Sequence, residues 1–408
     1  MKMKKLIAVL LSCMLILSTL GITGSAAKEG VDTSLQFGED GKFTILNISD
    51  IQNGYPLNSV TKKYIIDTLD MVDPDLVVLT GDNIAGYSAP TKLLVKAAIK
   101  EFMDIFEERG VKVAGVYGNH DSEDTTATKE YQLAVYESYD CYIGCAGYTD
   151  EDRVGTYNLP ILSSDGSKYA FNLWFTDSGT HNDENDIGGY GCVHKGQIEW
   201  YKKQCAALAA QNGGEVVPAI NFQHIVVPEV YDAFDIVYEY TDGALSATDE
   251  NGNACYYVLP DGAKGALAED PCPPRYSNGQ FDAMVEMGDV VATVSGHDHV
   301  NSYEVDYKGI KIINTPSMGF AAYNGENVGS RVFVLDENDA RNFETYCLDF
   351  DDVYSDGNEM MKCGFLAYLD SSSALVKVVN WLKYVCMYAE YKLFTEPTEK
   401  ITKLFKDC

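Results

Sequence analysis

Short apolar runs alternate with amphipathic stretches along this chain, and nearly every run ends on a cluster of polar residues. Phe43–Ile48 leads to Ser49-Asp50-Ile51-Gln52, Leu76–Leu79 to Gly81-Asp82-Asn83, and Val111–Tyr117 to Gly118-Asn119-His120-Asp121. Between them, Val60–Met71 and Leu93–Glu108 carry apolar residues at helical spacing, closed by Pro74-Asp75 and by Gly110. Short buried strands alternating with helices predict βαβ units and a sheet covered on both faces. In such a sheet the strands' C-terminal ends carry the site, and that is where the polar clusters fall.

The later chain continues the pattern. Val216–Gln223 reads as a strand leading to His224, after a helix over Gln197–Ala210. A short helix at Phe281–Met287 precedes Val290–Val294, the strand that delivers Gly296-His297-Asp298-His299. Strands are predicted at 157–162, 169–177, 301–306, 309–314 and 331–335. Residues 238–278, rich in Gly, Asp and Pro, read as a long surface loop near the site. The Tyr-rich stretch 131–157 reads as aromatic core. No repeat or low-complexity tract interrupts the chain.

Four of the six histidines lie in these strand-end motifs. Alone, Asp50 or Asp82 would be a strand-end turn former and His224 a satisfied core histidine. Together they form the set that a phosphoric-ester hydrolase with two metal ions requires. Phosphorus in an ester is shielded by negative oxygens, and two metals about 3.5–4 Å apart supply hydroxide near neutral pH and neutralise developing charge. Asp82 is the natural bridge, with Asn119, His224 and His297 completing one site and Asp50, Gln52 and His299 the other. His297 and His299, two residues apart on an extended segment, point to one side. His120 directly follows a ligand, which places it beside the metals as general acid for the leaving alkoxide, with Asp121 to orient it; a supporting role is its alternative. Asp298 faces away. His181 and His194 match no motif, and Arg153, Arg275 and Arg331 are phosphate contacts only by exclusion.

These five ordered motifs resemble the calcineurin-like metallophosphoesterases. Phe222–Pro228, Ser295–Asn301, Phe171–Gly179 and Gln197–Tyr201 look like their purple-acid-phosphatase-like branch. The resemblance spans roughly residues 40–340. It implies a four-layer α/β (αββα) sandwich holding a dinuclear centre of divalent or trivalent ions (Mn, Fe or Zn), with direct attack by a metal-bridging hydroxide. It also implies a small phosphate ester or a phosphoprotein as substrate. This chain departs from the pattern twice. The first motif ends in Gln52 where His is usual, a weaker ligand favouring harder ions. Ala85 stands where purple acid phosphatases carry a tyrosine ligand, so no purple colour is expected. Gln52 is also the one feature favouring a competing reading, an exported binding module that keeps the fold without catalysis.

The N-terminus has a basic head (Lys2, Lys4, Lys5), an apolar run Leu6–Ile22 and small residues at Ser25-Ala26-Ala27. This is the form of a signal peptide, expected over residues 1–27, and it predicts a secreted or extracytoplasmic protein. The catalytic domain is then expected over 38–350 and a helical extension over 351–408. Lysines at 377, 383 and 392 make the helix at 374–394 no membrane span. A net charge of −30 excludes nucleic acid as a partner. Export permits disulfides, with Cys141/Cys145 and Cys255/Cys272 as local candidates, while buried thiols remain the alternative. None of the cysteines has CxxC spacing, which argues against a structural zinc site.

Overall fold

The computed structural model describes residues 33–150, 152–181, 188–249, 251–324 and 328–354. The expected signal peptide lies outside the described residues, as does the expected C-terminal extension from residue 355 on. The chain runs through β1 (Leu35–Gln36), β2 (Lys42–Ile48), α1 (Ser59–Val72), β3 (Leu76–Thr80), α2 (Lys92–Arg109), β4 (Lys112–Val116) and α3 (Lys129–Tyr136). It continues through β5 (Tyr148–Asp150), β6 (Arg153–Leu162), β7 (Tyr169–Thr176), α4 (Lys195–Gln211) and β8 (Ala219–Gln223). Then come β9 (Asp235–Val237), β10 (Leu245–Thr248), β11 (Ala254–Val258), α5 (Gln280–Met287) and β12 (Val290–Ser295). Last are β13 (Glu304–Tyr307), β14 (Ile310–Asn314), β15 (Gly329–Asp336), β16 (Glu344–Asp349) and the single turn α6 (Phe350–Val353).

Two mixed sheets result. The first has the order β16-β15-β2-β3-β4, with β2, β3 and β4 parallel. The second has the order β1-β6-β7-β8-β12-β14-β13, with β7, β8, β12 and β14 parallel and β5 joined to β6.

Side-chain alternation along the strands separates three cores. Phe43 and Ile45, Leu76 and Val78, and Ala114 and Val116 turn one way from the first sheet, to pack with Phe171, Leu173, Phe175, Ile220 and Phe222 of the second. Their alternates Leu46, Ile48, Val77, Leu79 and Val113 turn the other way, onto residues of α1, α2 and α3. On the far face of the second sheet, Trp174, Ala219 and Ile312 pack with Cys205 of α4 and with Phe281 and Met284 of α5. Helices therefore cover the outer faces of two sheets that share an inner core.

Aromatic rings lock that inner core. Tyr157 stacks on Phe175 with centroids 4.6 Å apart, and Phe222 meets Phe333 of the other sheet edge-on at 5.8 Å. The Tyr157 hydroxyl crosses between the sheets, donating to the Gly115 carbonyl at 2.9 Å and accepting from its N–H at 3.0 Å. The outer helices are capped as their sequences require. Asn58 accepts from the N–H groups of Val60 and Thr61 ahead of α1, and Gly110 ends α2 in the left-handed region.

Two expectations need correction. Residues 238–278 are not one irregular loop, because β10 and β11 within them form a small antiparallel sheet with β9 just before. Its strands are half-exposed, so no apolar alternation marked them, and its hairpin is turned by Asp249, which accepts from the N–H of Asn251 and Asn253. The Tyr-rich stretch also holds a helix, α3, which the sequence reading took only as packing. No disulfide joins Cys141 to Cys145 or Cys255 to Cys272.

Candidate metal centre

Parallel strands bring the motifs to one edge of both sheets. Asp50, Asp82 and Asn119 follow β2, β3 and β4, while His224 and His297 follow β8 and β12. Backbone bonds join neighbouring loops: Asp50 donates to Gly81 (3.1 Å), Gln52 to Asp82 (2.8 Å), and Gly296 to His224 (3.1 Å). Glycine lets the loops approach this closely. A Cβ at Gly296 would lie 1.8 Å from Ser49 Oγ, and one at Gly118 would lie 2.1 Å from Asp82 Oδ1. Asp50, Gln52, Asp82 and His297 all take positive φ, between 42° and 72°, a conformation non-glycine residues adopt mainly where surroundings enforce it.

Asp82 is the hub. Its Oδ1 accepts from the His120 N–H at 2.7 Å, and its Oδ2 lies 3.2 Å from His224 Nε2, 3.2 Å from Gln52 Nε2 and 4.0 Å from His120 Nε2. Asn119 Oδ1 sits 3.1 Å from His224 Nε2. Asp82, His224 and His297 are buried and offer ligand atoms all within 4.8 Å of one another. Beside them, His299 Nε2 lies 3.3 Å from Asp50 Oδ1 and 3.1 Å from Gln52 Nε2. All seven residues expected as ligands from the sequence thus meet at this edge.

Two imidazoles are oriented by carbonyls, which only accept. His224 Nδ1 donates to Thr80 O (2.9 Å) and His299 Nδ1 to Tyr323 O (2.7 Å), so each turns Nε2 to the centre. Burial opposes charge on both rings, yet Asp82 and Asp50 outweigh it, holding His224 up at about 10 and His299 at about 9. Burial, seconded by His224, drives His297 down to about 3. Burial alone would raise Asp50, but His299 and His224 hold it below the usual carboxylate range.

Metal ions fit this donor set. His297 Nε2 is buried and has no hydrogen-bond partner within the protein, an arrangement that is costly unless a ligand completes it. Carboxylates, imidazoles, an amide oxygen and no thiolate make a borderline-hard site suited to Mn, Fe or Zn.

His120 sits at the rim, but its expected orienting partner is wrong. The carboxylate in contact with His120 Nδ1 is Glu123, brought back by the tight turn at 121–124. Asp121 instead accepts from the backbone N–H of Asp82 (2.8 Å), Ile84 (3.0 Å) and Gly118 (2.7 Å), tying two motif loops together. Burial and the charge of Asp82 raise it to about 7. Asp298 is buried, accepting from the Cys272 N–H at 3.0 Å, and burial pushes its carboxyl well up.

Three tyrosines frame the centre. Tyr323 stacks on His299 (4.1 Å, 4° between planes), Tyr190 meets His297 edge-on at 4.3 Å, and Tyr87 meets His120 edge-on at 5.6 Å. No periodicity marked them; only the three-residue spacing of Glu123 from His120 was there to be noticed. Other candidates lie elsewhere. His194 caps α4, and Arg331 donates to the carbonyls of Ser302 (2.6 Å) and Asn314 (3.1 Å). Arg153 is buried and donates to Cys192 O at 3.1 Å. Exposed Arg275 lies against Gly189, and His181 bridges to Tyr190.

Residues 43–301 match the family model described as calcineurin-like phosphoesterase. A curated relative from Arabidopsis thaliana, "Probable inactive purple acid phosphatase 14", is 25% identical, over 74% of this chain and 77% of its own length. "Phosphatase DCR2" from Saccharomyces cerevisiae is 24% identical, over 72% of this chain and 50% of its own length. Among solved structures, a dimetal phosphatase from Danio rerio aligns at 13% identity over 76% of this chain and 99% of its own, with a TM-score of 0.44.

Proposed function

The chain belongs to the calcineurin-like phosphoesterase family, and from that premise we propose that it is an exported phosphatase or phosphodiesterase using two metal ions. The observation that carries the proposal is the buried cluster of Asp82, His224 and His297, with His297 Nε2 left without a protein partner. Asp82, Asn119, His224 and His297 would hold one ion, and Asp50, Gln52 and His299 would join Asp82 around the other. Bound there, the ions would supply charge neutralisation and a water acidified for attack on phosphorus.

The chain's own residues do the rest. The Glu123 carboxylate fixes the His120 ring through Nδ1, leaving Nε2 to hold a proton on the side of Asp82. From there it protonates the departing alkoxide, a contribution of about 10²–10⁴ in rate. Asp121 keeps the His120 loop and the Asp82 loop in register, so donor and hub stay at fixed separation. The basic head, apolar run and small residues of the N-terminus support export, with removal of residues 1–27. N-terminal sequencing of the secreted product would check this: a start at Lys28 is expected, and a retained Met1 would overturn it. Among the described residues no helix is long and apolar enough to cross a membrane.

The test is turnover of a chromogenic phosphomonoester and the matching diester by metal-loaded protein, with and without His120→Ala. Hydrolysis lost in the variant while metal content stays constant is the expected result. A second reading, a metal-binding module without catalysis, is favoured by Gln52 and by the word "inactive" in the name of the Arabidopsis relative. Metal bound without hydrolysis of either ester would select it.

A further inference from the structure

Resting on that assignment of His120, we propose that Tyr87 is a leaving-group contact and that the site takes phosphate esters of neutral, planar aromatic alcohols. The part of an ester that departs must lie against the group that protonates it, so whatever adjoins His120 adjoins the leaving group. Tyr87 occupies that place. Its ring stands edge-on to the His120 imidazole at 5.6 Å, with 88° between planes, and is 49% exposed.

The placement is rigid. Tyr87 is the middle residue of a 3₁₀ turn, Gly86–Ser88, whose first N–H donates to His120 O at 2.9 Å. The two segments are so close that a Cβ on Gly86 would fall 2.2 Å from Glu123 O. A ring carried on a turn tied down by backbone bonds, edged against His120 and bared on its other side, is placed to receive a second ring.

Charge narrows the class. Burial, then Asp82 and Glu123, raise the pKa of the Tyr87 hydroxyl, and of these two carboxylates Glu123, which touches His120, is the one assigned to no metal ion. A leaving group carrying its own negative charge would be repelled there, whereas a neutral ring would not. Across the centre, Tyr323 lies flat over His299 with its hydroxyl donating to Glu269 at 3.0 Å. Two exposed rings, Tyr87 and Tyr323, therefore border the centre.

Benzyl phosphate and ethyl phosphate test the idea, because their alcohols are similarly basic and differ by the ring. Metal-loaded protein is expected to prefer benzyl phosphate by about tenfold in kcat/KM, the scale of one aromatic pair. Tyr87→Ala should bring the ratio of the two substrates near one, while Tyr87→Phe keeps it, since the ring and not the hydroxyl makes the contact. An unchanged ratio in Tyr87→Ala would overturn the proposal, as would a wild-type ratio near one. Binding of benzylphosphonate and ethylphosphonate by calorimetry gives the same comparison without turnover. A tenfold binding preference that Tyr87→Ala abolishes, with no hydrolysis of either ester, would leave the aromatic contact standing and remove catalysis alone. Equal binding of the two would remove the contact.

Discussion

The two halves of the proposed metal centre differ in how they meet their own polar needs. Around His224 and His297 the donors converge within 4.8 Å and His297 Nε2 makes no hydrogen bond. Around Asp50 and His299, Gln52 stands between its neighbours, its amide nitrogen 3.2 Å from Asp82 and 3.1 Å from His299. One half leaves a ring nitrogen without a partner, and in the other the Gln52 amide nitrogen, which only donates, already faces both neighbours. A cation entering the second half must displace those contacts, so an amide in place of an imidazole weakens the site through competition as well as through weaker ligation.

The largest effect that tests this contrast comes from the shared hub. Asp82→Asn should empty both halves and abolish hydrolysis, read by metal analysis; retention of one ion would show that the halves do not depend on a common carboxylate. Proton competition comes next. Loading the first half must remove the proton that Asp82 and Asp50 hold on His224, up to about 10, and loading the second must remove that on His299, up to about 9. His297, already neutral, surrenders none. Affinity at each half should therefore rise with pH by about tenfold per unit, levelling for the second half near pH 9 and for the first near pH 10. Titrations showing no such rise would contradict the assigned protonation.

Gln52→His should tighten the second ion by about tenfold while leaving the first unchanged, the range in which support around a ligand acts. Equal tightening of both would remove the distinction between halves. The smallest effect is expected at Glu269, which accepts from the Tyr323 hydroxyl and from the Val300 N–H (3.0 Å each) and so steadies the ring and carbonyl against His299. Glu269→Gln should loosen the second ion only a few-fold and spare the first.

Much of this was legible because five of the parallel strands, β2, β3, β4, β8 and β12, end on candidate ligands, so apolar runs and the residues ending them carry the site's outline. Asp50, Asp82, Asn119, His224, His297 and His299 were all found that way. What stayed hidden depends on how chain segments fold back. Glu123 reaches His120 only because residues 121–124 turn, and Asp121 was misassigned because sequence adjacency says nothing about which way a carboxylate points. Tyr87, Tyr190 and Tyr323 sit in irregular segments with no spacing to betray them. The small sheet at 235–258 escaped because half-exposed strands lack alternation.

The three bonds that Asp121 accepts from Asp82, Ile84 and Gly118 make the hub loop and the His120 loop one body. Their amides should then exchange with deuterium only when the whole domain opens, among the slowest in the protein.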